Sequence, residues 1–352
     1  MSLGRTLLVM LVVCSFGSVP AAAQDAAKDK SQPERLFRDR TPLELTIRAP
    51  LGELGKDRDT LKSKPQDGRV DFVDERQGAI SLPITLETRG HFRLRRSTCS
   101  FPPLKVIFNK DSTKGTVFND QGSLKLVTHC QNTTRNEQNL LVEESIYRMY
   151  NVLTPLSHRS RLAKIRYLPT EDTTKAVTRF GFFIEDDGDM AKRNGGKDLK
   201  QTGAAFSDME PSQMDLLSTF QYMIGNTDWS VFAIHNIRIV DIGAKGGGFY
   251  FPVAYDFDFS GLVGSVYAVP DERLPIKSVK ARLYRGPCRK LEELQPTIDL
   301  FRGKKDSIYA IYTSPLFEPG RAKNAIEYLD GFFETIARPK GMNDAMGYAC
   351  RG

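Results

Sequence analysis

Asp228, Asn236 and Asp256 are the residues whose types and spacing best suit chemistry in this chain. Asp228 lies in Gly225-Asn226-Thr227-Asp228-Trp229, the Asn of His235-Asn236 stands eight positions on, and Asp256 of Tyr255-Asp256-Phe257-Asp258-Phe259 twenty positions after that. Each adjoins an apolar, strand-like run. Transfer of a phosphoryl group needs such a set: one Asp to orient the attacking hydroxyl, and an Asn and an Asp to hold magnesium on the nucleotide phosphates. Asp258 adds a second acid at the strand end, since side chains two apart on a strand face the same side and can share a cation. Singly, each residue has a plainer use. Asp228 suits a turn or cap after Gly225-Asn226, His235-Asn236 a polar strand entry, and Asp256 and Asp258 a solvated strand end.

Upstream, Lys125 sits in Gly122-Ser123-Leu124-Lys125-Leu126-Val127, a strand with Leu124 and Leu126 on its other face. A nucleotide enzyme aims such a Lys at the α- and β-phosphates and holds it with a carboxylate from the following helix. Val142, Ile146, Met149 and Leu153 form the apolar stripe of that helix. Glu143 lies about 100° and Glu144 about 200° around it from Val142. Glu143 therefore borders the packed face and is the expected partner of Lys125, while Glu144 points to solvent. A surface Lys and a solvated Glu are the plain alternative.

The elements that must position these residues are legible from periodicity. Residues 43–48 and 80–89 alternate as strands should, and apolar-rich runs follow at 104–108 and 124–128. Residues 51–70, rich in Lys, Asp and Gly, read as a loop. The period changes over 136–153, which is helical and ends at Thr154-Pro155. Strands are expected at 162–168 and 177–184. The charged stretch from Glu185-Asp186-Asp187 to Gly195-Gly196 reads as a connection between lobes. A helix over 214–224 precedes strands near 234–240 and 249–254, which flank the turn Gly246-Gly247-Gly248. Helical patterns near 289–301, 305–312 and 321–336 close the chain. The expected fold is α+β and two-lobed, like a protein kinase. Residues 42–185 would form a nucleotide-binding lobe, an antiparallel sheet with one helix, and residues 186–352 a mostly helical catalytic lobe.

Residues 1–23 have the pattern of an export signal: Arg5, the apolar run 7–13, and Ala21-Ala22-Ala23 before Gln24. The run is too short to span a bilayer; a retained anchor is the rival reading. Residues 24–41 read as a mobile tail. The mature chain is expected to be exported and to lack a transmembrane segment. Composition is ordinary globular, 40% hydrophobic and 26% charged, and the net charge of +7 is spread along the chain. Nucleic acid is not an expected partner, because Lys and Arg form no concentrated patch. There is no CxxC pair and no histidine pair at ligand spacing, which argues against zinc. Cys99, Cys130, Cys288 and Cys350 remain after cleavage, an even set that suits disulfides in an oxidising compartment. If strands 104–108 and 124–128 are antiparallel neighbours, Cys99 and Cys130 come within bonding reach. Cys288 and Cys350 are then left to pair or stay free.

Residues 80–290 resemble the spore-coat CotH-type kinases and related secreted proteins. The resemblance rests on Arg89-Gly90-His91-Phe92-Arg93, Leu124-Lys125-Leu126, Glu143 with Tyr147-Arg148-Met149-Tyr150, and Phe182-Phe183-Ile184-Glu185-Asp186 at the hinge. It is strongest at Asn226-Thr227-Asp228-Trp229, His235-Asn236 and Asp256-Phe257-Asp258. It implies a protein-kinase-like fold, with Lys125 on the phosphates, Asp228 as catalytic Asp, and Asn236 and Asp256 as magnesium ligands. No GxGxxG loop covers the phosphates, so Arg89-Gly90 would substitute, and Glu185 would face the nucleotide from the hinge. There is no HRD triplet, and the gap from Asp to Asn is longer than in ordinary protein kinases. The expected function is a magnesium-dependent, ATP-using transferase acting on a protein or glycan hydroxyl. AMP transfer is a variant. The rivals are an inactive binding module of the cell envelope and a secreted hydrolase or structural protein with calcium on the Asp cluster.

Overall fold

Alternating apolar residues build the first half of the chain, and their inward faces meet in a closed barrel. The computed structural model describes residues 1, 35–59, 62–200, 202–347 and 350. The expected export signal falls, Met1 apart, outside them. Helix α1 (Arg35–Arg38) lies in the segment expected to be a tail, yet it buries Leu36 and Phe37. Strand β1 (Leu43–Ala49) and helix α2 (Leu51–Lys56) follow. Next come β2 (Gln66–Asp74), β3 (Gly78–Thr88), β4 (Leu104–Phe108) and β5 (Ser123–Val127). After helix α3 (Thr134–Leu153), the strands β6 (Ser160–Pro169) and β7 (Val177–Ile184) complete the set.

The hydrogen-bonded order is β1-β2-β3-β4-β5-β7-β6, and the ring closes where β1 pairs in parallel with β6, Leu45 opposite Ile165. The other neighbours are antiparallel. Period-two alternation fills the interior with Leu45, Ile47, Phe72, Ile84, Val106, Leu124, Leu126, Ile165 and Phe183. On β6 and β7 the outward residues Leu162, Phe182 and Ile184 are buried as well, against α3. Burial on both faces explains why these strands read as nearly continuous apolar runs.

The second half holds α4 (Asp187–Arg193), β8 (Lys197–Leu199), α5 (Pro211–Ile224), β9 (Ile237–Asp241), β10 (Phe251–Ala254), α6 (Leu291–Tyr309), α7 (Pro319–Ala337) and α8 (Gly341–Met346). Strands β10, β9 and β8 make a small antiparallel sheet. The turn between β9 and β10 uses Gly247 and Gly248 at φ +61° and +87°, a left-handed backbone that glycine adopts without strain. Among the described residues no helix is long and apolar enough to cross a membrane.

The two-lobed kinase-like architecture is overturned by this arrangement. The first half is a closed mixed barrel, not an open antiparallel sheet, and a second small sheet stands among eight described helices. Ser31–Gly352 forms one compact unit. Two features hid this. β2 starts inside the stretch 51–70 that reads as a loop, because its buried apolar residues are only Val70 and Phe72 among Gln, Asp, Gly and Arg. The closure of β1 on β6 joins segments more than a hundred positions apart, which no local pattern reports. Helix α3 also packs into the same core as α5, α6 and α7, through Val142, Ile146 and Tyr150 with Phe220, Phe301 and Leu329.

Both disulfides are formed, Cys99–Cys130 and Cys288–Cys350. β4 and β5 are antiparallel neighbours, which brings Cys99, ahead of β4, beside Cys130, beyond β5. Two disulfides fit an oxidising environment.

Candidate functional site

Three groups of charged side chains converge where β5, α3 and the ends of the small sheet meet. The first is a carboxylate cluster. Glu143 enters from α3, and Asp256 and Asp258 follow β10. Arg93, from the turn Phe92–Leu94, reaches Glu143 with Nη1–Oε2 at 3.4 Å and donates from Nη2 to the Thr128 carbonyl at 2.7 Å. The Tyr267 hydroxyl donates to Asp258 Oδ2 at 2.8 Å, and the Asp256 N–H donates to the Tyr147 hydroxyl at 2.9 Å. Burial, with repulsion from Asp258 and Asp256, pushes Glu143 well above the usual carboxylate range, although Arg93 opposes it. Asp258 is raised to about 7 by burial and then by Asp256. Burial disfavours the Arg93 charge, but Tyr267, Glu143, Asp258 and Asp256 together raise it. Three acids crowd around one guanidinium, and their raised values mean that the group favours shared protons unless a further cation joins it.

The second group is positive. Lys125 Nζ donates to Asp187 Oδ1 at 2.6 Å, Arg238 Nε to Asp187 Oδ2 at 2.8 Å, and His158 Nε2 lies 3.0 Å from Oδ1. Lys125 and Arg238 also stand over the Tyr255 ring, at 5.1 and 4.4 Å. Burial raises Asp187, yet His158, Lys125 and Arg238 hold it well below the carboxylate range. Lys125 is lowered by burial and, beyond what Asp187 restores, by Arg89 and Arg238. Arg89 is half-buried within the field of both Lys125 and Glu143. Its guanidinium makes no hydrogen bond or ion pair among the described residues. Here Asp187 answers several cations, with Asp198 adding to the field at Arg238.

The third group is a dyad. Asp228 Oδ1 lies 2.9 Å from His235 Nε2, and the Asn236 amide donates to Asp228 Oδ2 at 3.0 Å and to its carbonyl at 2.8 Å. The hydrogen bond to Asp228 raises His235, against the effect of burial, and the charges of Asp228 and Asp256 add to it. The dyad opens onto a cavity of about 950 Å³ lined by Trp229, His235, Phe259 and Arg285, among others. Ile234, Asn236 and Asp256 adopt φ of +50°, +52° and +61°, three of the five described non-glycine residues in that region. Strained backbone gathers where a site must hold side chains in one geometry.

Lys125, Glu143, Arg89, Asp228, Asn236, Asp256 and Asp258 are thus brought to one region, but not with the expected pairings. Lys125 does not meet Glu143. β5 pairs with β7, Lys125 opposite Ile184, so Asp187, three residues beyond, reaches the Lys first. Glu144, expected in solvent, is buried and accepts from Ser160 at 2.8 Å. Glu185, expected to face the nucleotide, is buried and spent on structure: Arg193 Nε reaches it at 2.7 Å and the Arg159 N–H at 2.9 Å. Sequence reasoning missed Arg93, Asp187, His158, Arg238 and Tyr267. Asp187 stood in a charged stretch taken for a connection, and the others are ordinary polar residues until the fold assembles them.

Among the described residues no three His, Cys, Asp or Glu side chains form a ready-made metal cage. Magnesium needs none, since it keeps several waters and takes one or two carboxylates with substrate phosphates. Asp256 and Asp258 fit that demand, because a cation would relieve the repulsion between them. Asn236 donates with its nitrogen and retains its side-chain oxygen for a cation. No family model matches this chain, and no curated protein matches it.

Proposed function

We propose that this chain is an exported, magnesium-dependent transferase that moves a phosphoryl or nucleotidyl group from ATP to a hydroxyl of a protein or glycan. The observation that carries the reading is the separation of charge in the site. Surplus cations at Lys125, Arg238 and Arg89 lie beside surplus carboxylates at Glu143, Asp256 and Asp258. The cations suit the phosphates of a nucleotide, and the carboxylates suit the metal that such phosphates carry. Magnesium would be held by Asp256 and Asp258 with the oxygen of Asn236, and when bound it would neutralise phosphate charge. Asp228, fixed by His235 and Asn236 at the edge of the large cavity, would orient the acceptor hydroxyl and take its proton. Arg89, whose guanidinium makes no hydrogen bond or ion pair among the described residues, would approach the phosphates from the strand β3 side.

Thermal unfolding with and without nucleotide tests this. ATP with magnesium at a hundred times its dissociation constant should add about 2.7 kcal/mol, and Asp256→Ala should abolish that gain while leaving the apo protein folded. Equal stabilisation of both proteins would remove Asp256 from the metal site. Absence of any nucleotide effect would leave a binding module as the better reading. The mass gained by a labelled acceptor separates phosphoryl from nucleotidyl transfer.

A further inference from the structure

The loop between β3 and β4 carries more than the Arg93 that enters the site. Arg89, Arg93, Arg95 and Arg96 all fall within positions 89–96, so the positive charge that is spread along the chain as a whole is dense here. His91, Leu94, Arg95 and Arg96 line a cavity of about 570 Å³ together with Arg58, which follows α2. Among the described residues no carboxylate belongs to that lining. His91, Arg95 and Arg96 are exposed, and Arg58 is half-buried. The volume lies in the range of small-molecule sites and exceeds what a bare ion needs.

Arg58 is the scaffold of this pocket. Its Nη1 donates to the carbonyls of Leu94 at 3.0 Å and Cys99 at 3.1 Å, and its Nη2 to those of Gly55 at 2.7 Å and Ser100 at 2.8 Å. Its Nε donates to Gly55 at 3.0 Å. Every N–H of the guanidinium is thereby used, and the loop is pinned on both sides of Arg95 and Arg96. Burial and the Arg96 charge lower Arg58, and Asp57 supports it. Asp57 is itself engaged, accepting from the Lys64 N–H at 2.7 Å and the Ser63 hydroxyl at 3.0 Å. Arg95 stands over the Phe92 ring at 5.0 Å, a contact through its flat face that leaves the N–H edge available. The side chains of Arg95 and Arg96 make no hydrogen bond or ion pair among the described residues. Like charges gathered this way repel, and an anion between them removes that cost.

We propose that this pocket binds a phosphate monoester. Arg95 and Arg96 fork onto its oxygens, His91 adds a ring nitrogen, and Arg58 supplies positive field alone. A phosphate suits the pocket better than a carboxylate, because it brings about two charges and three acceptor oxygens to these cations. Phe92 also meets Phe259 edge-on at 5.0 Å, and Phe259 lines the Asp228 cavity. The ester can therefore belong to a chain that reaches that cavity or to a free small molecule. The site does not rest on the transferase reading, and its test uses no nucleotide. Phenyl phosphate, benzoate and a phosphoserine peptide are titrated into the disulfide-intact protein in about 0.15 M sodium chloride. Binding is followed by NMR through the arginine side-chain N–H signals, which report on the pocket itself and tell it apart from phosphate at Lys125. Phenyl phosphate should bind saturably, and benzoate roughly tenfold more weakly. Arg95→Gln and Arg96→Gln should each weaken phenyl phosphate roughly tenfold, the worth of one charge-assisted hydrogen bond. Lys125→Gln should leave the affinity of the pocket unchanged. A peptide that binds more tightly than phenyl phosphate supports the site and places the ester on a chain. One that binds equally or more weakly supports it and places the ester on a small molecule. No saturable binding, equal affinity for benzoate, or no loss in either arginine variant would overturn the proposal and leave a solvated positive surface.

Discussion

Arg93 takes the place at Glu143 that the sequence suggested for Lys125. The difference matters because a guanidinium can serve several oxygens at once. Arg93 answers Glu143 and the Thr128 carbonyl directly and lies in the field of Asp256 and Asp258. Removing it leaves buried carboxylates facing one another, and breaking a buried ion group from one side costs about 3–5 kcal/mol. Arg93→Met should therefore destabilise by that order in urea unfolding, and magnesium should recover part of the loss. Glu143→Gln should cost less, since it removes one of the repelling acids. Because the two side chains touch, the double mutant should lose clearly less than the sum. Strict additivity would show that the pair does not act as a unit. Lys125 belongs to the Asp187 group, so Lys125→Ala and Glu143→Ala should reduce transfer activity independently.

Among the elements, the end of α5 does most to place the Asp228 group of the site. Gly225 closes the helix at φ +65°, its N–H returning to the Tyr222 carbonyl, and the next residues carry Asn226 and Asp228. The Gly225 carbonyl accepts from the Gly261 N–H at 3.1 Å, and Ile224 accepts from Leu262 at 3.1 Å. These bonds tie the Asp228 segment to the loop that follows Asp258. A Cβ at Gly225 would collide with the Tyr328 hydroxyl. Gly225→Ala should thus cost about 2–4 kcal/mol, from the left-handed backbone and the overpacking together. Gly303, within α6 and with open space where its Cβ would lie, is the control; Gly303→Ala should gain about 0.5–1 kcal/mol. Differential scanning calorimetry of both variants decides it. A neutral Gly225→Ala would mean that Tyr328 moves aside without strain.

For the whole molecule, the closed barrel and its disulfide hold the loop that delivers Arg93. Cys99–Cys130 spans 31 positions, and removing a cross-link of that length costs about 3–4 kcal/mol in the chain-entropy account. The same loop runs from the carboxylate cluster to the start of β4. Phe101 N–H bonds the Cys130 carbonyl at 2.9 Å, and Phe92 packs edge-on against Phe259 with centroids 5.0 Å apart. Replacing both cysteines by Ser should lower stability by that amount and weaken any metal-dependent stabilisation more than Cys288→Ser with Cys350→Ser does. Comparable effects of the two pairs on metal response would show that the Arg93 loop is held without its disulfide.

What the sequence by itself determined is local. The alternation at 43–48, 80–89, 104–108 and 124–128 and the helical period at 136–153 and 214–224 recur in the folded chain within a few residues. Such periods depend only on neighbouring side chains and the face they bury. The Cys99–Cys130 pair was legible for a related reason, because antiparallel neighbours close in sequence bring predictable ends together. Tertiary structure alone decided the rest. Whether seven strands form an open sheet or a ring depends on β1 finding β6, and the hydrogen-bonding edges of both strands look alike from sequence. The partners of Lys125, Glu143, Glu144 and Glu185 were equally hidden. A charge takes the nearest opposite charge in space, and Asp187 and Arg93 became nearest only when β7 paired with β5 and the segment between β3 and β4 met α3.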